Sequence, residues 1–372
     1  MANTFVTIKE IARQALPRLI DNMVFPNLIH RDFSEDFHYL GDTVKVRRPT
    51  VLTAAEFDAA NGVNYSDITE SAVDVKLDTI ATVDVAAEAV ETALNIDDLN
   101  RVFIEPAAAA LAEKINSDGL SLYKDVPYCA GTAGTTPSGL ADFSAVRRVL
   151  NVNKAPFAGR VAVWDPEADA AFTTVPAIVN AEKSGSVAAL REGAIGRVFG
   201  MDNYMSQGVK QHETGITAAT AVKVNGAASK GAETISIDGT SLTGKLVKGD
   251  LITIGGHTYT VTEDSAAAAG NAIAGVKIYP ALQANVADNA DVTLVGSHTA
   301  NLAFHPMAFA FVTRPLINPD GEGVASYVTS FNGVSLRVTK GYDQKYKRST
   351  YSMDVLYGFK TVYPELAVRA LG

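Results

Sequence analysis

The stretch Ile96-Asp-Asp-Leu-Asn-Arg-Val-Phe-Ile-Glu-Pro106-Ala-Ala-Ala-Ala-Leu-Ala-Glu-Lys-Ile115-Asn-Ser-Asp-Gly119-Leu-Ser-Leu-Tyr123 organises the reading of this chain. Apolar side chains at Ile96, Leu99, Phe103, Ala107, Ala110, Leu111 and Ile115 recur at the three-and-four spacing of one helix face. Asn95, Asp97 and Asp98 stand where a cap and negative charge favour a helix start. Pro106 is tolerated in a first turn but not deep inside, so a second helix is expected to begin there. Ala107 to Ala110 favour helix strongly, and Gly119 with Lys124–Pro127 should end it. At about 1.5 Å per residue, such an element runs roughly 25–40 Å. Taken alone, it reads as an ordinary core helix.

Upstream, Val44–Pro49 and Val73–Val85 read as strands. In the second, Val73, Val75, Leu77 and Ile80 are set against Asp74, Lys76 and Asp78, close to a period of two. The polar stretch Thr53–Ser71 between them carries the turn signal Asn61–Gly62. Together they describe a long hairpin, which buries too little surface to stand alone. Before it, Ile8, Ile11, Ala12, Ala15 and Leu19 form a helix face. That face fits either an arm lying on a neighbouring copy or a helix packed on its own domain.

Downstream, Gly131–Gly139 is a loop and Asp142–Asn153 a helix. Arg160–Trp164 is a strand, and Pro166 opens a helix to about Val175. This alternation indicates a mixed α/β part. From about Gln211 to Ser297 the composition shifts to Thr, Val, Ile and Gly in short alternating runs: Thr234–Ile237, Leu251–Ile254, Thr258–Thr262, Val276–Tyr279 and Val292–Val295. Close-spaced short strands indicate a small all-β sandwich or barrel able to fold as its own unit. Phe304–Arg314 is densely apolar, and Val334–Thr339 and Tyr351–Val362 are strands joined by the charged turn Asp343–Arg348.

The 372 residues suffice for two or three cores. No apolar run is long enough for a membrane span, and Met1–Glu10 lacks the pattern of a secretory signal. A single cysteine, Cys129, excludes an internal disulfide framework and fits a reducing cytoplasm. The net charge of −9 argues against a surface that wraps DNA and suits a basic partner.

Catalytic patterns are missing. Gly239-Thr-Ser-Leu-Thr-Gly244-Lys245-Leu246 comes close to a phosphate-binding loop, but Leu246 replaces the hydroxyl residue that would hold Mg²⁺. The following Val247-Lys-Gly-Asp points to a β-turn rather than a helix, so this is read as a Gly-rich hairpin turn. The six histidines show no zinc spacing, and no Gly-x-Ser-x-Gly elbow occurs. The pairs Asp97–Asp98 and Glu263–Asp264 read as caps or solvated faces, and Trp164 as core. The expectation is a protein that is not an enzyme and has no cofactor and no metal.

Three motifs then carry a resemblance. They are Ala188-Ala-Leu-Arg-Glu-Gly193-Ala-Ile-Gly196-Arg-Val-Phe-Gly200-Met-Asp-Asn-Tyr204, Asn301-Leu-Ala-Phe304-His305-Pro306-x-Ala308-Phe309 and Tyr357-Gly-Phe-Lys-Thr-Val-Tyr-Pro364-Glu365-Leu-Ala367-Val368. In that order, behind an arm, a hairpin and a long helix, they resemble tailed-bacteriophage major capsid (coat) proteins. The Asn301 motif looks like the start of a core helix in those proteins. The β segment is similar in position and composition to the extra domain of short-tailed Salmonella phage coat proteins.

The resemblance implies an α+β class and the tailed-phage major capsid fold with an inserted all-β domain. Its parts would be an N-arm (1–43), an E-loop hairpin (44–85) and a peripheral domain with the spine helix (86–127 and 334–362). An axial domain (128–210, 298–333 and 363–372) and the inserted β-barrel domain (211–297) would complete it. The implied function is a self-assembling subunit of pentamers and hexamers in an icosahedral procapsid or capsid around double-stranded DNA. Scaffolding and portal proteins are the implied partners, with no membrane; the implied location is the virion capsid, assembled in the host bacterial cytoplasm. Hairpin-tip residues Glu56, Asp58, Asn61, Asn64 and Tyr65 would touch a neighbouring subunit, and Glu10, Asp21, Asp32, Glu35 and Asp36 a basic scaffold module. Some family members cross-link a hairpin Lys to a neighbour's Asn; Thr53–Ser71 contains no Lys, so that chemistry is not expected here.

Two other classes fit less well. An encapsulin-like nanocompartment shell would hold a cargo protein in the same fold. A carbohydrate-binding β unit would need exposed aromatic platforms, and the segment has only Tyr259 and Tyr279.

Overall fold

The Ala-rich run after Pro106 is helical in the computed structural model, which describes residues 8–31, 43–48, 71–88, 104–180, 191–318, 325–331, 333–346 and 348–372. The hairpin tip, Asp32, Glu35, Asp36 and residues 96–103 of the Ile96–Tyr123 stretch lie outside the described residues.

In chain order the elements are α1 (Ile8–Asn22), α2 (Phe25–Leu28), β1 (Thr43–Arg48), β2 (Ser71–Lys76), β3 (Thr79–Glu88) and α3 (Glu105–Leu120). There follow β4 (Cys129–Gly131), α4 (Leu140–Val152), β5 (Arg160–Trp164), α5 (Pro166–Phe172), α6 (Pro176–Val179), β6 (Arg197–Val198), β7 (Met201–Met205) and β8 (Gln211–His212). Next come β9 (Ile216–Val224), β10 (Thr234–Gly244), β11 (Leu251–Ile254), β12 (His257–Val261), β13 (Ala272–Tyr279) and β14 (Val292–Leu294). The chain closes with β15 (His298–Phe304), β16 (Phe309–Arg314), β17 (Ala325–Phe331), β18 (Val334–Asp343), β19 (Arg348–Thr361) and β20 (Ala367–Leu371).

The buried stripe of α3 is Ile104, Ala107, Ala108, Leu111, Ala112, Ile115 and Leu120. Ala110, expected on that face, is exposed, because the true stripe steps through 107/108, 111/112 and 115. Gly119 does not stop the helix, which continues through Leu120 into a 3₁₀ turn, Ser121–Asp125. On α1 the predicted face holds: Ile11, Ala12, Ala15, Leu16 and Leu19 are buried within the chain.

Backbone contacts divide the chain into two compact units. The first comprises Met1–Pro17, Arg31–Ala107 and Ala310–Val362. Here β1 and β2 pair antiparallel from Thr43↔Lys76 to Arg48↔Ser71, the base of the expected hairpin. The expected single strand 73–85 is two strands. It breaks at Leu77–Asp78, where Gly358 packs on the Lys76 carbonyl at a spacing no Cβ would permit. The break shifts the alternation: Val75, Leu77 and Ala81 are buried, while Ile80, expected inward, is 53% exposed. β3 pairs along β19 from Thr79↔Tyr357 to Glu88↔Arg348, and β19, β18 and β17 form consecutive antiparallel pairs. Arg337 on β18 donates two hydrogen bonds to Asp354 Oδ2, from Nε at 2.9 Å and from Nη2 at 2.6 Å.

The second unit comprises Arg18–His30, Ala108–Phe309 and Tyr363–Gly372. Residues 108–127, expected with the peripheral stretches, group here, and 310–333 group with the first unit. A seven-stranded mixed sheet runs β4-β20-β15-β5-β7-β6, with β8 also on β15. Phe143 of α4, Trp164 of β5 and Phe172 of α5 form an aromatic triangle with centroids 4.3–5.2 Å apart. Trp164 is core, as read, and its indole donates to Asn203 Oδ1 at 3.0 Å. The Asn301–Phe309 motif does not open a helix. It is strand β15, a one-turn Pro306–Ala308 3₁₀ piece and the start of β16. A short, fully apolar run satisfies a buried strand and a buried helix alike.

A separate six-stranded sheet, order β14-β11-β12-β13-β10-β9, occupies 216–294. Its core includes Val224, Ile237, Leu246, Ile252, Tyr259, Val261 and Val276. The Gly239–Gly244 motif is not a hairpin turn but lies within β10, whose pairing with β9 shifts register at Thr240 and Thr243. Gly244, at φ +96°, would push a Cβ into the Gly215 carbonyl, so this glycine serves chain packing. Lys245 and Lys277 form exposed pairs with Asp264 and Glu263 at 2.7 and 2.8 Å, so that acidic pair is a solvated face.

Helix α2 has no side-chain cap of its own. Buried Asn116 of α3 serves instead: its Oδ1 accepts from Val24 N at 3.0 Å and Phe25 N at 3.2 Å, and its Nδ2 donates to Asn22 O at 3.1 Å. Asn116→Leu should orphan these groups and cost about 2–3 kcal/mol. Urea denaturation measures this, and an unchanged midpoint would refute the capping role.

Candidate functional site

The expected intersubunit residues Glu56, Asp58, Asn61, Asn64 and Tyr65 lie outside the described residues, as do Asp32, Glu35 and Asp36. Glu10 and Asp21 fall on α1, where Asp21 is exposed near the helix end. Of these candidates the structure therefore places only Glu10 and Asp21, both on α1. It also places the hairpin base, through the β1–β2 register.

A polar centre that sequence reasoning missed lies in the second unit. Arg369 sits inside β20 with no exposure at all. Its Nη1 donates to Gly249 O at 2.8 Å, and its Nη2 to Tyr123 O at 2.6 Å and Val126 O at 2.9 Å. The guanidinium carbon lies 5.0 Å from the centre of the Tyr123 ring, a cation–π contact. Burial lowers its pKa to about 10, while Tyr123, Cys129, Asp250 and Asp125 pull the other way. At neutral pH the group therefore stays charged.

His298 on β15 faces this arginine, and His212 stands opposite it on the paired strand β8, with ring centroids 5.2 Å apart. His298 Nδ1 is 2.8 Å from Gly296 O, so it carries the proton. Its Nε2 then presents a lone pair toward Arg369 Nη1, 3.5 Å away. His212 Nε2 is 2.8 Å from Asp250 Oδ1, and its Nδ1 is 3.0 Å from the Tyr123 hydroxyl. Donation from Nε2 to the carboxylate leaves Nδ1 to accept from the tyrosine. Asp250 Oδ2 accepts from Val247 N at 2.8 Å and so shapes the turn before β11.

This centre ties the turn between β10 and β11 of the six-stranded sheet to β20, β15 and the 3₁₀ turn after α3. Supporting contacts surround it. Lys248 pairs with Asp125 at 2.9 Å, Thr260 Oγ1 donates to Lys124 O at 2.9 Å, and Tyr279 donates to Glu365 at 3.0 Å. Gly249, at φ +98°, lies so close to Lys124 that a Cβ would stand 2.8 Å from its Cγ. Tyr123, His212, Asp250, His298 and Arg369 are all buried, and their polar atoms pair with one another and with backbone carbonyls, so the contacts seen here hold segments of the chain together. Among the described residues no group of three His, Cys, Asp or Glu side chains is placed to hold a metal, and no helix is long and apolar enough to cross a membrane.

The comparisons with known proteins bear on this architecture. The family model described as P22 coat protein, gene protein 5, matches residues 247–372. That span holds most of the Arg369 centre together with the Asn301 and Tyr357 motifs; the Ala188 motif lies before it. No curated protein sequence matches the chain. Among solved structures, one of Mycobacterium phage Che8 is similar at 18% identity and TM-score 0.52, covering 94% of this chain and 90% of that one. A capsid of Ralstonia phage GP4 is similar at 10% identity and TM-score 0.49, covering 92% and 86%. The capsid structure of cyanophage P-SCSP1u is similar at 13% identity and TM-score 0.47, covering 89% and 84%. By sequence over its last third the chain is similar to P22 coat protein, and by fold over nearly its whole length to a phage protein, which supports the tailed-phage coat-protein resemblance carried by its motifs.

Proposed function

We propose that this chain is the major capsid subunit of a tailed phage. It assembles as pentamers and hexamers into an icosahedral shell that encloses double-stranded DNA, with a scaffolding protein guiding assembly and a portal protein at one vertex. The observation that carries the reading is the P22 coat protein match over 247–372, joined to a fold shared with the phage Che8 structure over 94% of the chain. In this reading the β1–β2 hairpin and the N-terminal segment reach neighbouring copies, with Glu56, Asp58, Asn61, Asn64 and Tyr65 as tip contacts. Glu10, Asp21, Asp32, Glu35 and Asp36 meet a basic scaffold module. The segment 211–297 is an inserted β domain, supported by its own sheet and hydrophobic core. The protein acts by assembly rather than by catalysis, as a component of the virion capsid built in the host cytoplasm.

Each contact in such a shell is weak, and closure multiplies them. Unpaired hairpin edges that water would solvate in a monomer become covered by neighbours.

Expression of the full chain with its scaffold, viewed by electron microscopy, tests the reading: closed shells containing DNA after packaging are expected. A stable monodisperse monomer, or shells that hold only a protein cargo, would overturn it. Deleting Ala54–Ser71 should leave a cooperatively folding subunit that no longer closes shells. Normal shell yield from that deletion would remove the hairpin from its assigned role.

A further inference from the structure

In a chain of net charge −9, helix α4 carries a face built of hydrogen-bond donors. Ser144, Arg147, Arg148, Asn151 and Val152 follow the spacing of one helix face and line an open cleft of about 460 Å³. No carboxylate lines it. Asp142, on the same helix, is engaged at the helix start, where its Oδ2 accepts from Ser138 N at 2.8 Å and Gly139 N at 3.0 Å. Among the described residues neither Arg147 nor Arg148 forms an ion pair.

A third guanidinium sets the polarity of the cleft. Arg160 is buried; it donates from Nε to Pro156 O at 2.7 Å, from Nη2 to Ala155 O at 2.6 Å and from Nη1 to Asn151 Oδ1 at 2.8 Å. Asn151, which lines the cleft, has its carbonyl engaged by Arg160, so the hydrogen-bonding groups it has left to offer are chiefly donors. Burial and the neighbouring charge of Arg147 both lower the basicity of Arg160, which places the two cations within electrostatic reach of each other. Like charges held together without counter-charges in an acidic protein call for an anionic occupant.

We propose that this face of α4 binds the phosphodiester backbone of double-stranded DNA. Guanidinium forks match phosphate oxygens, and Ser144 and Asn151 add neutral donors. A duplex carries one charge per about 1.7 Å of its axis, so it meets both arginines without any sequence register. Two arginines in a −9 chain give weak, non-specific contact, suited to a wall that touches DNA many times rather than a surface that reads it. The proposal rests on the shell reading, which is what brings DNA to this chain.

The test uses the purified full-length subunit and a fluorescent random-sequence duplex, with affinity measured by anisotropy across a range of salt. The expectation for Arg147→Glu/Arg148→Glu is a loss of affinity of about tenfold or more at low salt, with a log–log salt slope shallower by about 2. Arg147→Gln/Arg148→Gln should show the same direction with an unchanged urea midpoint, which separates binding from folding. Lys230→Glu, in the β segment, should leave the slope as it is. An unchanged slope in both arginine variants overturns the proposal. So does polyglutamate that competes as well as the duplex, which would make the face an acidic-polypeptide site. Failure of the shell reading shows elsewhere, as the absence of closed particles from the unaltered protein.

Discussion

Arg369→Met is expected to lower the stability of the subunit by about 3–5 kcal/mol in urea denaturation. The side chain supplies the hydrogen bonds to three carbonyls, those of Gly249, Tyr123 and Val126. Methionine keeps most of the volume but leaves these oxygens facing an apolar group, and each orphaned acceptor costs about 1–3 kcal/mol. Against a usual margin of about 5–15 kcal/mol, this is a large fraction of what holds a domain folded. Arg369→Lys should recover only part of the loss, because one compact ammonium replaces a planar fork that reaches in three directions. Hydrogen exchange locates the effect. Amides of residues 245–262 should open well before those of α4, whose core of Phe143, Val146 and Leu150 is untouched. A midpoint within error of the unaltered protein, or uniform loss of protection across both regions, would mean that Arg369 does not anchor the turn.

The second large effect is acid destabilisation through His298. Burial pushes its pKa down from 6.5 to about 4, and the charges of Arg369 and His212 act in the same direction. The hydrogen bond to Gly296 O and the charge of Asp250 oppose the shift. The geometry gives the reason. Nδ1 already holds its proton against Gly296 O, so a second proton must go on Nε2, the atom that faces the guanidinium. The unfolded chain takes up this proton near pH 6.5, whereas the folded one resists it until about 4. Stability is thus fully present above pH 6.5 and falls as the pH drops toward 4, by up to about 3 kcal/mol. Comparing urea midpoints of the unaltered protein and His298→Gln from pH 8 to 4.5 isolates the contribution, since the carboxylates titrate in both. The variant should lack about one proton's worth of slope in that window. Parallel pH profiles would show that His298 is not the acid-sensitive group.

The two results bear on the proposed role. An inserted β domain in a shell subunit must keep a fixed orientation, or contacts between neighbouring capsomers cannot form in register. The Arg369 centre, with the Lys248–Asp125 pair and the Thr260–Lys124 bond beside it, fixes the turn at Gly249–Asp250 to β20, β15 and the 3₁₀ turn. Weakening it should lower shell yield before it abolishes folding of the sheet, whose core lies within residues 216–294.

Local pattern was enough wherever one element decides its own outcome. The strand readings of Val44–Pro49 and of the first part of Val73–Val85 located the hairpin base, and the Thr- and Val-rich runs between 234 and 294 located five strands of the six-stranded sheet, although β10 runs on through Gly244, past the expected end at Ile237. Pro106 and the alanines after it located the start of α3. Each of these signals is a period or a breaker, and both act through neighbours in sequence. Tertiary structure decided the rest. The phase of the α3 stripe depends on which side the core lies, so Ala108 and Ala112 are inside and Ala110 is not. The apolar run at 301–309 became strand because β20 and β5 pair along both edges of β15. The Arg369 centre draws on residues 123, 126, 212, 249, 250, 298 and 369, and no window of sequence contains more than two of them. Its single local sign was a charged residue inside the apolar run Ala-Val-Arg369-Ala-Leu, a position that demands buried partners without naming them. A hydrogen-bond acceptor has no sequence signature, because every backbone carbonyl is one. Only the folded chain chose which three would meet the arginine.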